Sequence, residues 1–251
     1  DPEKYYPQMD FSNDAIPRIK ELPEALSAAS LQLGAQDFVK AETLAREITN
    51  NTPTFQEAQI VLGRALLGEN KLDEAEKVFR SLLDQPLPLP TALAWANIGL
   101  GEISLKKGQS AEAVKRFNDA VHANGDYASS LTARAGRIRA EAAANLAPPI
   151  DESARAFIAQ VGPAIVAGRK ADLETKIVSG ELVRFLNASF GTTAWDTRVL
   201  RTEQMNADMI EADVSIRANK LGKEGSGTAV FVLSRTPAGL KLSAIELFEV
   251  Q

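Results

Sequence analysis

The octapeptide LDEAEKVF at Leu72–Phe79 occurs in related form three times in the first half of the chain. FVKAETLA stands upstream at Phe38–Ala45, and SAEAVKRF stands downstream at Ser110–Phe117. The alanine at the fourth position of each copy recurs after 34 residues and then after 38, so an insertion precedes the third copy. A period near 34 residues is typical of helix–turn–helix units that stack side by side. The sequence therefore predicts a helical repeat array.

The insertion is rich in proline. Gln85–Pro90 reads QPLPLP, and prolines at alternate positions favour a stiff, extended connector between two repeats. Asn124–Gly125 is typical of a helix end, and Tyr127–Ala144 then predicts one further helix. The polar residues that give this helix the exposed face of a terminal cap are Arg134, Arg137, Arg139 and Glu141.

Two further features of the repeats carry a resemblance to a known family. A Leu-Gly pair precedes the second copy at Leu62–Gly63 and the third at Leu100–Gly101, whereas Ala28–Ala29 stands there in the first. The small and aromatic positions of the units are Phe38, Ala41, Ala75, Phe79, Gly108, Ala113, Phe117 and Ala120. This pattern resembles the tetratricopeptide repeat family, in which small residues let helices approach closely. The resemblance implies an all-α solenoid of about three helix–turn–helix repeats plus a capping helix, over residues 23–147.

Members of this family line a concave groove with one face of each first helix. The resemblance implies a partner-binding surface made of Ile60, Arg64, Leu67, Trp95, Ile98, Glu102 and Leu105. Members that grip acidic chain ends need Lys, Asn and Arg at such positions, which are mostly apolar here. One tryptophan and one arginine in an apolar groove favour an amphipathic helix or an extended peptide as the partner. A register shifted by two residues would instead bury Trp95 in the core, and residues 1–22 or the second domain are alternative occupants of the groove.

Residues 1–22 contain several prolines and no sustained helical period, so an extended N-terminal arm is expected there, with the first helix starting at Pro23. A second domain is expected over residues 151–251. Asp151 is placed to cap a helix, and Gly162–Pro163 predicts a kink or a break in that helix. Two short helical segments are expected to follow.

A period of two replaces the helical period after Thr193 and predicts strands. Glu211 and Asp213 fall on the polar face of one strand, so both are expected to be solvated. The glycine-rich residues 222–227 are expected to form a hairpin loop. Thr236–Gly239 predicts a second turn.

A phase change near Ala244–Ile245 predicts a bulge in the last strand. Helices followed by four antiparallel strands make an α+β domain. This element order resembles the nuclear-transport-factor-2-like (cystatin-like cone) superfamily, which implies a pocket able to hold a small hydrophobic ligand. Enzymes of that superfamily use an acid or base together with a Tyr or His, and no Tyr or His follows Tyr127 in this chain.

Composition excludes several classes of function. The net charge is −5 without a basic cluster, so a nucleic-acid-binding surface is not expected. The absence of Cys excludes thiolate chemistry and Cys-ligated zinc, and His122 is the sole histidine. We therefore expect no catalytic residue, no metal site and no cofactor. Neither do we expect a membrane span, because no run of about 18 apolar residues occurs.

These observations predict a non-catalytic interaction scaffold that binds a protein or peptide through the groove of the helical repeats. The alternative is a cone-like second domain that binds a small hydrophobic ligand, or is a weak enzyme, with the repeats as its docking module. The chain starts with Asp1–Pro2–Glu3 rather than Met, which favours an exported or periplasmic protein over a cytoplasmic one.

Overall fold

The structure, a computed structural model of the chain, describes residues 17–250, and it describes the side chains of residues 24–246. Within this part of the chain, ten α-helices are followed by four β-strands. The helices are α1 Pro17–Gly34, α2 Phe38–Asn51, α3 Gln56–Gly68, α4 Leu72–Leu83, α5 Pro90–Lys106, α6 Ser110–His122, α7 Tyr127–Ala143, α8 Glu152–Ala167, α9 Lys170–Lys176 and α10 Ser179–Ser189. The strands are β1 Thr192–Asn206, β2 Met209–Lys220, β3 Lys223–Thr236 and β4 Gly239–Val250.

The chain divides into two compact units between Ala144 and Asn145. The first contains α1 to α7, and the second contains α8 to α10 and the sheet. Each unit has an apolar core of its own. A helical first part and an α+β second part with a four-stranded antiparallel sheet are therefore confirmed. Across residues 17–250, none of the helices combines the length and the apolar character needed to cross a membrane.

The first described helix begins earlier than predicted. Residues 17–22 were expected to belong to an extended arm, but α1 begins at Pro17. The rest of the predicted arm, residues 1–16, lies outside the described residues.

The helices of the first unit pack in a regular succession. Each helix contacts the next one along the chain, and α1, α3, α5 and α7 also contact their odd-numbered neighbours. The octapeptide Leu72–Phe79 forms the first eight residues of α4, and its Phe79 has no exposed surface. Phe79 lies against Gly63 of α3 and Gly99 of α5, where a Cβ atom built on Gly99 would be 2.1 Å from Cε2 of Phe79. Phe117 of α6 is likewise buried, and a Cβ atom on Gly136 of α7 would be 2.2 Å from its Cε1.

The predicted polar face of α7 is not a solvated face throughout. Arg137 is 1% exposed and Glu141 is 5% exposed. The guanidinium of Arg137 donates a hydrogen bond to Oδ1 of Asn118 on α6, at 3.2 Å. Arg139 is exposed as expected. Two of the four polar residues are therefore interior residues, because their spacing of four positions puts them on the same face of the helix.

A kink or a break was predicted at Gly162–Pro163, and helix α8 is not broken there. Asp151 caps it as expected, because its carboxylate accepts a hydrogen bond from the Ala154 N–H at 2.9 Å. Gly162 lets the helix approach the sheet, since a Cβ atom there would lie 2.4 Å from the carbonyl oxygen of Trp195. Pro163 is exposed. Ile158 and its neighbours are buried on the side of α8 opposite to Pro163. The free energy gained from this apolar burial offsets the loss of the one backbone hydrogen bond that proline removes.

The sheet is an antiparallel meander with the strand order β1-β2-β3-β4. Its inner face carries Ile210, Ala212 and Val214 of β2, which belong to the apolar cluster that includes residues of α8 to α10. The rings of Phe185 on α10 and Phe231 on β3 meet edge to face, with centroids 6.5 Å apart. This face is therefore covered by the helices of the unit.

The turns of the sheet differ in part from those predicted. The predicted loop at residues 222–227 is mostly strand, because Lys220 pairs with Lys223 and only Leu221 and Gly222 form the turn. The second turn lies within Thr236–Gly239 as expected, since these two residues pair across it. The single bulge predicted near Ala244–Ile245 corresponds to two irregularities in the pairing of β3 with β4, which leave residues 243 and 246 of β4 without a partner.

Candidate binding groove

A groove of about 560 Å³ opens on the helical unit. It lies between the end of α1, the second half of α3, and α5, with one residue from α7. Its wall is formed by Leu33, Gly34, Gln36, Phe38, Arg64, Leu67, Gly68, Phe79, Trp95, Ile98, Gly99, Glu102, Lys106 and Thr132. The odd-numbered helices supply most of this wall because they lie beside one another in the unit.

Five of the seven predicted surface residues line the groove. They are Arg64, Leu67, Trp95, Ile98 and Glu102. Ile60 lies one turn before Arg64 and is a core residue, 6% exposed. Leu105 packs against the same core and is absent from the groove wall, where the next residue, Lys106, takes its place. Lys106 follows Ile98 and Glu102 at intervals of four, so these three share one stripe of α5.

The sequence left open whether Trp95 lines the groove or is buried in the core, and Trp95 does both. Its side chain is 7% exposed and belongs to the apolar core, as the shifted register predicted. It also contributes to the groove wall. The guanidinium of Arg64 lies over the indole ring, 3.8 Å from the ring centroid. This distance is that of a cation–π contact, in which the ring face attracts the positive charge.

Arg64 has an unusual electrostatic position. Burial lowers the pKa of its guanidinium, and the more distant carboxylate of Asp126 opposes that effect. Asp126 is itself engaged at the start of α7, where its carboxylate accepts a hydrogen bond from the Ser129 N–H at 2.6 Å. Among the residues whose side chains are described, no carboxylate lies within ion-pair distance of Arg64. The guanidinium of Arg64 instead contacts the indole ring of Trp95.

The other charges of the groove differ in whether they are paired. Glu102 forms an ion pair with Arg139 of α7. The ammonium of Lys106 donates to Oδ1 of Asn70 at 3.1 Å, and the described side chains place no carboxylate within ion-pair distance of it. Arg64 and Lys106 therefore have no carboxylate partner among the described side chains, whereas Glu102 is paired with a cation from outside the groove wall.

Nine of the fourteen residues of the groove wall were not predicted from the sequence, among them Leu33, Phe38 and Lys106. Leu33 and Phe38 come from the end of α1 and the start of α2, outside the helix face to which the resemblance pointed. Phe38 was interpreted as an aromatic packing position, and it does pack tightly, since a Cβ atom on Gly68 would lie 2.5 Å from its Cδ1. Lys106 was missed by one position. The interval of four from Ile98 and Glu102 was the signal that could have found it.

A second, smaller cavity of about 260 Å³ lies among α4, α5 and α6. Each of its five charged side chains takes part in an ion pair. Glu76 accepts hydrogen bonds from Arg80 and Lys107, both at 2.7 Å, and these two partners lower the pKa of its carboxyl. Glu112 is paired with Arg116 at 2.7 Å. All charged side chains of this cavity are therefore paired, in contrast to Arg64 and Lys106 in the groove.

The two carboxylates predicted to be solvated on β2 are buried. Glu211 and Asp213 are each 6% exposed. They alternate with the core residues of β2, so they lie on the face of the sheet opposite to the helices, as do the buried Val230 and Val232. Arg201 is the cross-strand neighbour of Asp213 and supplies the opposite charge beside it. An apolar cavity on the helix-covered side would contain neither carboxylate.

Metal-binding side chains do not converge in groups of three or more anywhere in the described part of the chain. His122 lies exposed at the end of α6. A scan of the chain against models of known protein families gives no match. A search among curated proteins gives no significant match either.

Proposed function

We propose that the chain is a non-catalytic interaction protein whose helical unit binds a peptide or an amphipathic helix in the groove. We propose further that its helices are repeats of the tetratricopeptide type and that its second unit is a cone-like accessory domain. The observation that carries the proposal is the groove itself, about 560 Å³ in volume, with Leu67, Trp95 and Ile98 in its wall. Apolar and aromatic side chains around a concave surface are the usual anchors of peptide recognition.

The regular packing of the helices supports the repeat interpretation. Phe79 and Phe117 stand 38 positions apart, and each fills the space between glycines of two odd-numbered helices. Stacked repeats bury a continuous core in this way, and each unit contacts chiefly its neighbours. Such stacking leaves one face of the odd-numbered helices available to a partner.

The proposal is tested by selecting binders from a random dodecapeptide library on the full chain and measuring the affinity of a selected peptide by fluorescence polarisation. Leu67→Gln places a polar amide in the groove wall. We expect it to weaken binding about tenfold or more, since a buried apolar anchor contributes over about 1 kcal/mol to such an interface. Leu67 is a better test than Trp95, because Trp95 also belongs to the core and its loss would destabilise the fold.

Leu31→Gln is the matched control. Leu31 is 70% exposed on α1 and is not part of the groove wall, so the same substitution there should change the affinity by less than about twofold. Failure to select any peptide, or equal binding by the Leu67→Gln variant and the unaltered chain, would show that the groove is not the binding surface.

A further inference from the structure

Phe190 and Leu221 form an exposed apolar tip at one end of the α+β unit. Phe190 follows the last residue of α10 and is 74% exposed, and Leu221 lies in the turn between β2 and β3 and is 68% exposed. The N–H of Leu221 donates a hydrogen bond to the carbonyl oxygen of Gly191 at 2.7 Å, and the leucine side chain lies against the same glycine. Because Gly191 directly follows Phe190, the two side chains lie at the same end of the unit. A single exposed apolar residue is ordinary, whereas neighbouring large ones indicate a surface that meets an apolar partner.

Two exposed lysines border this tip on the side of the helices. Lys220 and Lys223 pair with each other across the turn, so their side chains leave the same face of the hairpin. It is the face of Ala218, which packs against the core of the unit, because alternate residues of a strand share a face. The ammonium of Lys220 accordingly donates to the carbonyl oxygen of Asn187 on α10 at 3.0 Å. The exposed Glu224 follows Lys223 directly and therefore leaves the opposite face. The helix side of the tip thus combines apolar side chains with positive charge.

The backbone at Leu221 is strained, although its side chain contributes little to the core. Its φ of 53° lies in the left-handed region, where the Cβ of leucine comes close to the following carbonyl group. Asparagine or glycine makes the same turn before Gly222 without this cost. Burial within the unit does not compensate the strain, because most of the leucine side chain is in water. Strained backbone positions cluster at binding sites, where the side chain contacts a partner. The strain is therefore a second indication that Leu221 acts outside the fold.

We propose that this tip docks on the surface of an anionic lipid bilayer, separately from the peptide binding of the groove. Phe190 and Leu221 enter the interface between headgroups and acyl chains, and Lys220 and Lys223 contact the lipid phosphates. Apolar side chains bordered by lysines suit this boundary, since the apolar part leaves water while the ammonium groups stay among the headgroups.

The charges favour a bilayer over a second copy of the chain as the partner. A symmetric dimer through the tip would bring Lys220 and Lys223 of both copies together, and like charges at an interface oppose association. An anionic bilayer attracts the same lysines. The chain as a whole carries −5 and is repelled by such a surface, so the lysines orient the tip towards it.

The test is co-flotation of the full chain with two kinds of vesicle, one of phosphatidylcholine alone and one with about one third phosphatidylglycerol. We expect the chain to float with the anionic vesicles at low salt, and to partition several-fold less at high salt or onto the neutral vesicles. Leu221→Asn should lower the partition coefficient about tenfold, because an apolar side chain no longer leaves water on docking. Asparagine tolerates a positive φ, so this variant keeps the fold and its loss of binding is not a folding defect.

Met205→Asn is the matched control. Met205 is 51% exposed near the end of β1, and successive turns of a meander lie at opposite ends of the sheet. The same kind of substitution there should change the partition coefficient by less than about twofold. Lys223→Gln tests the charges, and it should weaken binding to the anionic vesicles about fivefold.

Two results would overturn the inference directly. One is the absence of flotation with the anionic vesicles, and the other is equal partitioning of Leu221→Asn and the unaltered chain. A dimer in sedimentation equilibrium that Leu221→Asn dissociates, without flotation, would assign the tip to self-association and overturn it as well. Peptide binding by the groove does not depend on any of these outcomes.

Discussion

The side chain of Phe79 in α4 packs between the neighbouring helices α3 and α5. It has no exposed surface, and its ring fills the space between Gly63 and Gly99. A methyl group on Gly99 would lie 2.1 Å from Cε2 of Phe79, far inside van der Waals contact, and the buried ring has little room to move. We expect Gly99→Ala to lower the free energy of unfolding by about 1–3 kcal/mol through overpacking, measured by urea denaturation.

Gly34→Ala is the matched control for this prediction. Gly34 is the last residue of α1, and a Cβ atom there meets no other atom within 4 Å. Alanine favours the helix over glycine, so this variant should leave stability unchanged or raise it by up to about 1 kcal/mol. If the two substitutions changed the free energy of unfolding equally, close packing against Phe79 would not be the reason for the glycine.

The burial of a single residue was predictable where its residue type recurs at the same place in the related octapeptides. The burial of Ala75, Phe79 and Phe117 follows from their recurrence at the same place in successive units. The burial of Glu211 and Asp213 did not follow, because a period of two separates the faces of a strand but does not tell whether the second face meets water. Burial on that face depends on contacts between distant parts of the chain.

The hairpin between β2 and β3 is the element with the clearest local strain. Both residues of its turn have positive φ, 53° for Leu221 and 78° for Gly222, as in a type I′ turn. Leucine in this region brings its Cβ close to the following carbonyl, whereas asparagine tolerates it and is the usual residue before glycine in such turns. Leu221 is also 68% exposed, so little apolar burial is lost by replacing it. We expect Leu221→Asn to raise the free energy of unfolding of the α+β unit by about 0.5–1 kcal/mol.

Leu221→Ala distinguishes the effect of backbone strain on stability from the effect of losing the leucine side chain. It removes the same exposed surface and the contact with Gly191, but it keeps a Cβ atom at positive φ without the local hydrogen bonding of asparagine. Chemical denaturation in a Trp95→Phe background, in which the fluorescence of Trp195 reports on this unit alone, measures both variants. Equal stability of the two would mean that backbone strain at position 221 is negligible.

Helices and strands were predictable where the hydrophobic periodicity agreed with the residues typical of helix ends and turns. They were less predictable where a tertiary contact determined the local structure. Asp151 at the start of α8 and Thr236–Gly239 between β3 and β4 were located correctly, because caps and turns are determined by neighbours in sequence. Of the kink or break predicted at Gly162–Pro163, the break does not occur, since packing against Trp195 maintains the helix there. In the groove, the family resemblance pointed to Arg64 and Ile98, whereas Leu33 lies near the end of α1, outside the positions to which the resemblance pointed.

At the scale of the whole chain, the two units offer separate optical reporters. The chain has two tryptophans, Trp95 in the helical unit and Trp195 in the α+β unit, and both are largely buried. Replacing Trp195 by Phe leaves Trp95 as the sole tryptophan, so its fluorescence then follows the unfolding of the helical unit alone. This background variant makes it possible to assign an effect of pH to one unit of the intact chain.

Acid should destabilise the helical unit through Glu42. This carboxylate is 9% exposed and accepts hydrogen bonds from Arg46 of the same helix and from Lys71 before α4, the latter at 2.6 Å. Burial alone raises the pKa of Glu42, whereas the hydrogen bonds donated by Lys71 and Arg46 lower it, and the pKa falls from 4.5 to about 2. A pKa that is lower in the folded state stabilises the fold above the unfolded-state value and loses that effect as the pH falls. The contribution of Glu42 is therefore complete above about pH 4.5 and disappears towards pH 2.

The size of this effect follows from the change in pKa. At about 1.4 kcal/mol per pKa unit, the full change corresponds to roughly 3 kcal/mol. Arg46 and Lys71 are 42% and 41% exposed, so screening by water reduces the expected contribution to about 1–2 kcal/mol. Glu42→Gln should therefore be less stable than the parent by about that amount at pH 7, measured by urea denaturation in the Trp195→Phe background. The difference should shrink steadily between pH 4.5 and pH 3. Glu47→Gln, on the exposed side of the same helix, should match the parent at every pH, and a Glu42→Gln deficit that stayed constant with pH would mean that lost packing, not charge, accounts for it.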